Sequence, residues 1–219
     1  FDEVAFDDWR AESGVDFFSL AAMAPYYDAV EAKLALHTFT AVERNQNAEK
    51  FVAGCEACGY EWKYLRRGQA DCGLEEGNDC IGCLNGCHRD SKQSSMVVFV
   101  RPAEALGLEL VTETEVEWVE PAGEVVRVHA SQAGTAKTYQ ARRLILSGGA
   151  LGTTAVLLRS GFKPRYPALG KYFASHPQFM FFAIYDEEIN AHQGYFQTVN
   201  SKDPRFRPRG FKLENVFAG

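Results

Sequence analysis

Apolar positions change their spacing several times along this chain. Between Asp16 and Leu36 they recur at helical intervals: Tyr26, Ala29, Val30, Lys33 and Leu34 give a mostly apolar stripe, and Pro25 suits a first-turn position. This predicts a packed surface helix. From Asn45 onward the periodicity lapses, and Gly54, Gly59, Gly68, Gly73, Gly77, Gly82 and Gly86 favour irregular backbone. The expectation there is a long packed loop, 45–95. After a short helix over Pro102 to Leu106 the pattern turns to alternation. Leu108-Glu-Leu-Val, Val116-Glu-Trp-Val and Val125-Val-Arg-Val-His read as strands, with a turn at Pro121-Ala-Gly. A further strand over Lys137 to Ala141 completes an antiparallel meander, 108–141. Arg143-Leu-Ile-Leu-Ser then reads as a short apolar strand running into Gly148-Gly-Ala-Leu-Gly and a helix over Thr153 to Arg159. Phe179 to Ile184 is an apolar run suited to one buried strand.

A strand, a glycine turn and a helix in succession form the geometry of a phosphate or dinucleotide site. Helix N-terminal amides face an anion, and glycine lets the backbone approach it. Ser147 stands where the dinucleotide fingerprint needs glycine, and no acidic side chain follows at the required distance. Taken alone, the turn serves close packing about as well as a ligand.

Composition narrows the function classes. The 219 residues are 46% hydrophobic, enough for a real core, and the net charge of −6 carries no basic cluster for a nucleic-acid partner. No apolar run reaches the roughly 18 residues of a membrane span. The chain opens on Phe-Asp-Glu-Val with neither methionine nor a signal-peptide pattern, so it is expected to start inside a longer protein. All six cysteines, Cys55, Cys58, Cys72, Cys80, Cys83 and Cys87, fall in one segment, which favours a reduced, cytoplasmic setting.

Three chemistries compete for that segment. His88-Arg-Asp imitates a kinase catalytic loop, but Ser95 replaces the metal-binding Asn and the other kinase motifs are missing. Cys55-x-x-Cys58 and Cys80-x-x-Cys83 are two thiolate pairs at a separation near that of a four-cysteine zinc site, so a non-catalytic zinc-binding interaction module is the alternative reading. An iron–sulfur cluster on Cys80, Cys83 and Cys87 would need spacings that match no common ferredoxin run. Buried thiols, or one or two bridges packing the loop, are the favoured reading, with no metal assigned.

Gly149-Ala-Leu-Gly-Thr-Thr-Ala-Val-Leu-Leu-Arg-Ser-Gly161 resembles the second signature of the glucose-methanol-choline (GMC) oxidoreductases, flavoenzymes that oxidise alcohols. It departs from the family at Thr154 and at Phe162-Lys163. Other landmarks follow in family order: Leu20 to Glu31, the loop ending Gly86-Cys87 and Lys92-Gln-Ser, the meander, Leu169-Gly-Lys-Tyr-Phe-Ala-Ser-His176-Pro and Phe211-Lys-Leu-Glu214. The loop is most similar to the long-chain alcohol oxidase and bacterial dehydrogenase branch.

The resemblance implies an α/β fold with α+β character. It would comprise a partial, Rossmann-like FAD-binding domain over 1–167 and the beginning of a substrate-binding β-sheet domain over 168–219. It implies hydride transfer from a small-molecule alcohol to FAD, with oxygen or another electron acceptor downstream. The family's GxGxxG would precede Phe1 and its catalytic histidine would follow Gly219, so no catalytic residue is assigned, His129 and His176 included, and this chain alone is expected to be inactive and to release FAD. By the same resemblance the backbone of Val116 should contact the adenine, and Ser147, Gly148 and Gly149 should pass close to the FAD. Missing sheet neighbours would expose apolar edges and favour self-association.

Overall fold

The computed structural model describes residues 3–73, 86–195 and 197–216. It divides into two compact units, one formed by Phe1–Leu108 with Ile184–Gly219 and the other by Glu109–Ala183. The architecture is mixed α/β, and every ladder among the described residues is antiparallel. The boundary expected at residue 168 falls inside the second unit.

The first unit opens with α1 (Glu3–Ser13) and α2 (Leu20–Glu31). Ser19 caps α2 by accepting the Ala22 N–H at 3.2 Å, so the helix begins later than its apolar stripe suggested. Pro25 consequently sits inside the helix rather than in its first turn. β1 (Leu36–Thr38) follows, and then α3 (Gln46–Ala57), where a loop was expected. Asn45 starts α3: its Oδ1 accepts the Ala48 N–H at 2.9 Å, while its Nδ2 donates to the carbonyls of Ala191 and Gln193 at 3.1 and 3.0 Å. Ala48, Val52 and Cys55 are spaced to face one side of α3, and all three are buried.

β2 (Lys63–Tyr64) and β3 (Arg66–Gly68) come next. β1 pairs with β3, while β2 joins β7 (Val199–Ser201) and β8 (Leu213–Glu214) in a three-stranded sheet of order β2-β7-β8. Ala48 and Val52 pack on Val199 of that sheet, flanked by Phe51, Trp62 and Tyr64. A π-helical turn, Met96–Val100, leads into α4 (Arg101–Ala105), close to the short helix expected there.

The second unit is the meander and one helix. β4 (Thr114–Ala122), β5 (Val125–Gln132) and β6 (Thr135–Ala141) lie in the order β4-β5-β6. The first hairpin turns at Gly123-Glu124, beyond the expected Pro121-Ala-Gly, because β4 runs through Ala122. α5 (Gly149–Arg159) lays Val156 against Val119 and Val128, with Val116, Val126, Leu144, Leu146 and Phe162 around them.

Three expected strands do not form: Leu108 to Val111, Arg143 to Ser147, and Phe179 to Ile184 have no ladder partner among the described residues. A strand exists through its neighbour's hydrogen bonds, so an apolar run without one forms none. Leu144 and Leu146 face the core while Ile145 between them is 86% exposed. The last run is more open, with Phe179, Phe181 and Ile184 at 85%, 89% and 98% exposed, the opposite of the burial expected. No helix among the described residues is long and apolar enough to cross a membrane.

Candidate functional site

The expected site residues all lie in the second unit, and α5 determines where each stands. Ser147, Gly148 and Gly149 form its entry turn, and all three are exposed. Gly148 is the N-cap residue; its N–H donates to Thr153 Oγ1 at 2.9 Å. A Cβ on Gly148 would stand 3.0 Å from the Thr153 nitrogen and 3.2 Å from the Gly152 carbonyl carbon, so a side chain there would require the α5 backbone to give by a few tenths of an ångström. Gly149 is different: its φ of +72° lies in the left-handed region, and nothing stands within 4 Å of where its Cβ would be. The turn thus presents open backbone on the side of Gly149.

The electrostatics of the turn agree with that shape. No side chain caps the start of α5 and no acidic residue occupies its first turn. Its leading N–H groups keep the partial positive character of a helix N-terminus. Such an end can take an anion that approaches the glycine backbone. Arg159, in the last turn, complements the opposite end.

Val116 stands at that opposite end. Its side chain is half-buried in the meander core, and its carbonyl accepts from Arg159 Nη2 at 3.3 Å. The eleven residues of α5 span about 16 Å. The four residues therefore do not converge on one point; they mark the two ends of one helix. A ligand touching both sets would have to be extended.

The remaining candidates are placed elsewhere. His129 lies flat against Trp118, ring centroids 3.6 Å apart and planes 7° from parallel, and its Nε2 is 3.3 Å from Glu120 Oε1. His176 is exposed and belongs to no regular element. Asp90, in the kinase-like triplet, has a φ of +53° and is paired with Arg101.

The thiols do not behave as a set. Cys55 is buried in α3, and burial pushes its thiol pKa up, whereas Cys58 at the end of the same helix is exposed. Cys87 goes the other way: the Lys92 backbone N–H, supported by those of Arg89 and Ser91, lowers its pKa against the effect of partial burial. Cys80 and Cys83, on which the metal readings depend, lie outside the described residues. Among the described residues no three His, Cys, Asp or Glu side chains are grouped to hold a metal ion, so the zinc reading gains no support.

Sequence reasoning missed the last two residues of the α5 segment. Arg159 and Ser160 bind the edge of β4, through the Val116 and Glu117 carbonyls and the Val119 N–H. The Arg-Ser-Gly ending of the glycine-turn segment was the available cue, but in the sequence it carries only the resemblance to a family signature and not the bonds to β4.

Comparison with known proteins bears on the whole arrangement. No solved structure matches the chain. It is similar to a protein of Sinorhizobium fredii described as an uncharacterized GMC-type oxidoreductase, 28% identical over 194 residues that cover 85% of this chain and 36% of the relative. Proteins of two Mycobacterium tuberculosis strains, described likewise, are each 24% identical over 193 residues, covering 87% of this chain and 30% of theirs. The chain spans about a third of the length of these relatives. The model of the GMC oxidoreductase family matches residues 2–178, taking in the meander, the glycine turn and α5, and the chain belongs to that family.

Proposed function

We propose that this chain is part of a longer FAD-dependent oxidoreductase that oxidises the CH–OH group of a small-molecule alcohol. The observation that carries the reading is the entry to α5 in a chain of this family. Gly149 offers open backbone at positive φ, at a helix end with no side-chain cap and no acidic residue in its first turn. Those features suit an anionic, extended dinucleotide, with Ser147, Gly148 and Gly149 along it and the Val116 backbone toward its adenine. FAD, when bound, accepts the hydride from the alcohol carbon.

The chain's own residues would bind and orient. Gly148, locked by Thr153, holds the turn in shape, and Gly149 keeps Cβ atoms away from the approaching ligand. Neither His129 nor His176 is given the role of base, since His129 is stacked on Trp118 and His176 belongs to no regular element. In this proposal residues 1–167 serve FAD binding and 168–219 begin the substrate-binding part. The long-chain alcohol branch is favoured by the resemblance of the cysteine segment.

The test is a visible spectrum of the longer protein purified without added flavin, followed by anaerobic addition of primary alcohols of increasing chain length. Flavin absorbance that bleaches with an alcohol is the expected result. A colourless protein that takes up no FAD would overturn the reading.

A further inference from the structure

Arg159 grips β4 in a way that a regular strand would not allow. Its Nε donates to the Glu117 carbonyl at 2.6 Å and its Nη2 to the Val116 carbonyl at 3.3 Å. Successive carbonyls on a strand point to opposite edges, so one side chain ordinarily reaches only one of them. Here the ladder slips: Val116 pairs with Ala130 and Trp118 with His129, which leaves Glu117 as an extra residue. The guanidinium occupies the place where this bulge turns both carbonyls outward.

Edge protection alone does not require this arrangement. β4 is the outer strand of the meander, and Ser160 already covers part of its edge by taking the Val119 N–H at 2.8 Å. What Arg159 adds is a fixed bulge, and a bulge re-aims the backbone next to it. The planar fork with donors at fixed separation suits two carbonyls; a lysine ammonium has no such fork.

We propose that Arg159 is a positioning residue for the cofactor: by holding the Glu117 bulge, it sets the Val116 backbone in the orientation that receives the adenine end of FAD. This rests on the flavin reading given above. Arg159 itself touches no ligand in this scheme; it acts through Val116 from the far end of the helix whose entry turn meets the rest of the dinucleotide.

The test uses Arg159→Leu, Arg159→Lys and Ser160→Ala in the longer protein, with FAD affinity of each apoprotein read by quenching of flavin fluorescence and folding read by thermal unfolding. Arg159→Leu is expected to weaken FAD about tenfold and Arg159→Lys about threefold, the order expected for losing or degrading a charged hydrogen-bond pair. Ser160→Ala, which loosens the same edge without touching the bulge, should lose stability but keep affinity within about twofold. Equal affinity in wild type and Arg159→Leu would overturn the proposal while leaving the flavin reading intact. Ser160→Ala weakening FAD as much as Arg159→Leu would also overturn it, by making the effect a general loosening of the edge. A wild type that binds no FAD would sink the flavin reading, and this proposal with it. If Arg159→Leu does not fold, Arg159→Lys decides between the same outcomes.

Discussion

The Ser160 hydroxyl accepts the backbone N–H of Val119 at 2.8 Å, so the end of α5 closes the outer edge of β4. The same oxygen donates to the Val156 carbonyl at 2.6 Å, one helical turn back. Val119 is buried, and in Ser160→Ala its N–H would be left without a partner. That substitution should cost about 1–2 kcal/mol of unfolding free energy, the usual penalty for an orphaned buried donor. Urea unfolding monitored by Trp fluorescence would measure it, and an unchanged midpoint would mean that the bond contributes nothing.

Acid should weaken the first unit through Asp203. Its carboxylate is buried and accepts from Arg205 Nε at 2.6 Å, Arg205 Nη2 at 2.7 Å and the Glu61 N–H at 2.8 Å. The Arg205 bonds, foremost, hold its pKa well below the ordinary carboxylate range. A group whose folded pKa is depressed stabilises the fold above its unfolded value, about 3.9, and loses that contribution as pH falls through the folded one. Wild type should therefore lose stability below about pH 4. Asp203→Asn should be less stable at pH 7 and show a flatter acid limb between pH 4 and 2, as read by thermal unfolding across pH. Parallel curves for the two proteins would contradict this.

The thiols should separate by reactivity. Cys87 is half-buried with a lowered pKa, and Cys55 is buried with a raised one. The thiolate is the nucleophile, so limiting iodoacetamide at pH 7.5 should label Cys87 well before Cys55. Peptide mapping by mass spectrometry would show the order, and Cys55 labelled first would reverse the assignment.

How much of this was legible in the sequence depended on how local the cause was. The meander could be read because Val126 and Val128 alternate along β5, although Val116 and Val119 reach one face only through the bulge at Glu117, and the helix of α5 because its apolar residues sit at helical spacing. α3 was hidden by Gly54 and its cysteines, although Ala48, Val52 and Cys55 were correctly spaced behind the Asn45 cap. The three apolar runs stayed unpaired because pairing belongs to a neighbour that the local pattern does not contain. The glycine turn before α5 was readable from the glycines that precede a helical segment, while its place beside a cofactor was expected only from the family resemblance. The grip of Arg159 was not readable, because it depends on a register slip against Ala130 and His129 that no local pattern encodes.

The unpaired run at Phe179 to Ile184 should make this chain self-associate. Phe179, Phe181 and Ile184 lie open with no sheet neighbour among the described residues. Light scattering at rising concentration should show species larger than a monomer, and Phe181→Lys should reduce them. A monodisperse wild-type monomer at high concentration would contradict the expectation.

Gly149 offers the most direct test of the flavin site. Its positive φ strains any β-branched side chain, but Asn tolerates the left-handed region, and nothing stands within 4 Å of its Cβ direction. Gly149→Val, Gly149→Asn and Thr138→Val, the last on the exposed face of β6, would be compared in the longer protein for flavin retained through gel filtration. If FAD lies against this turn, both Gly149 variants should lose flavin while folded, and Thr138→Val should keep it. Full retention by folded Gly149→Asn and Gly149→Val would contradict the account, showing that the glycine serves only the turn.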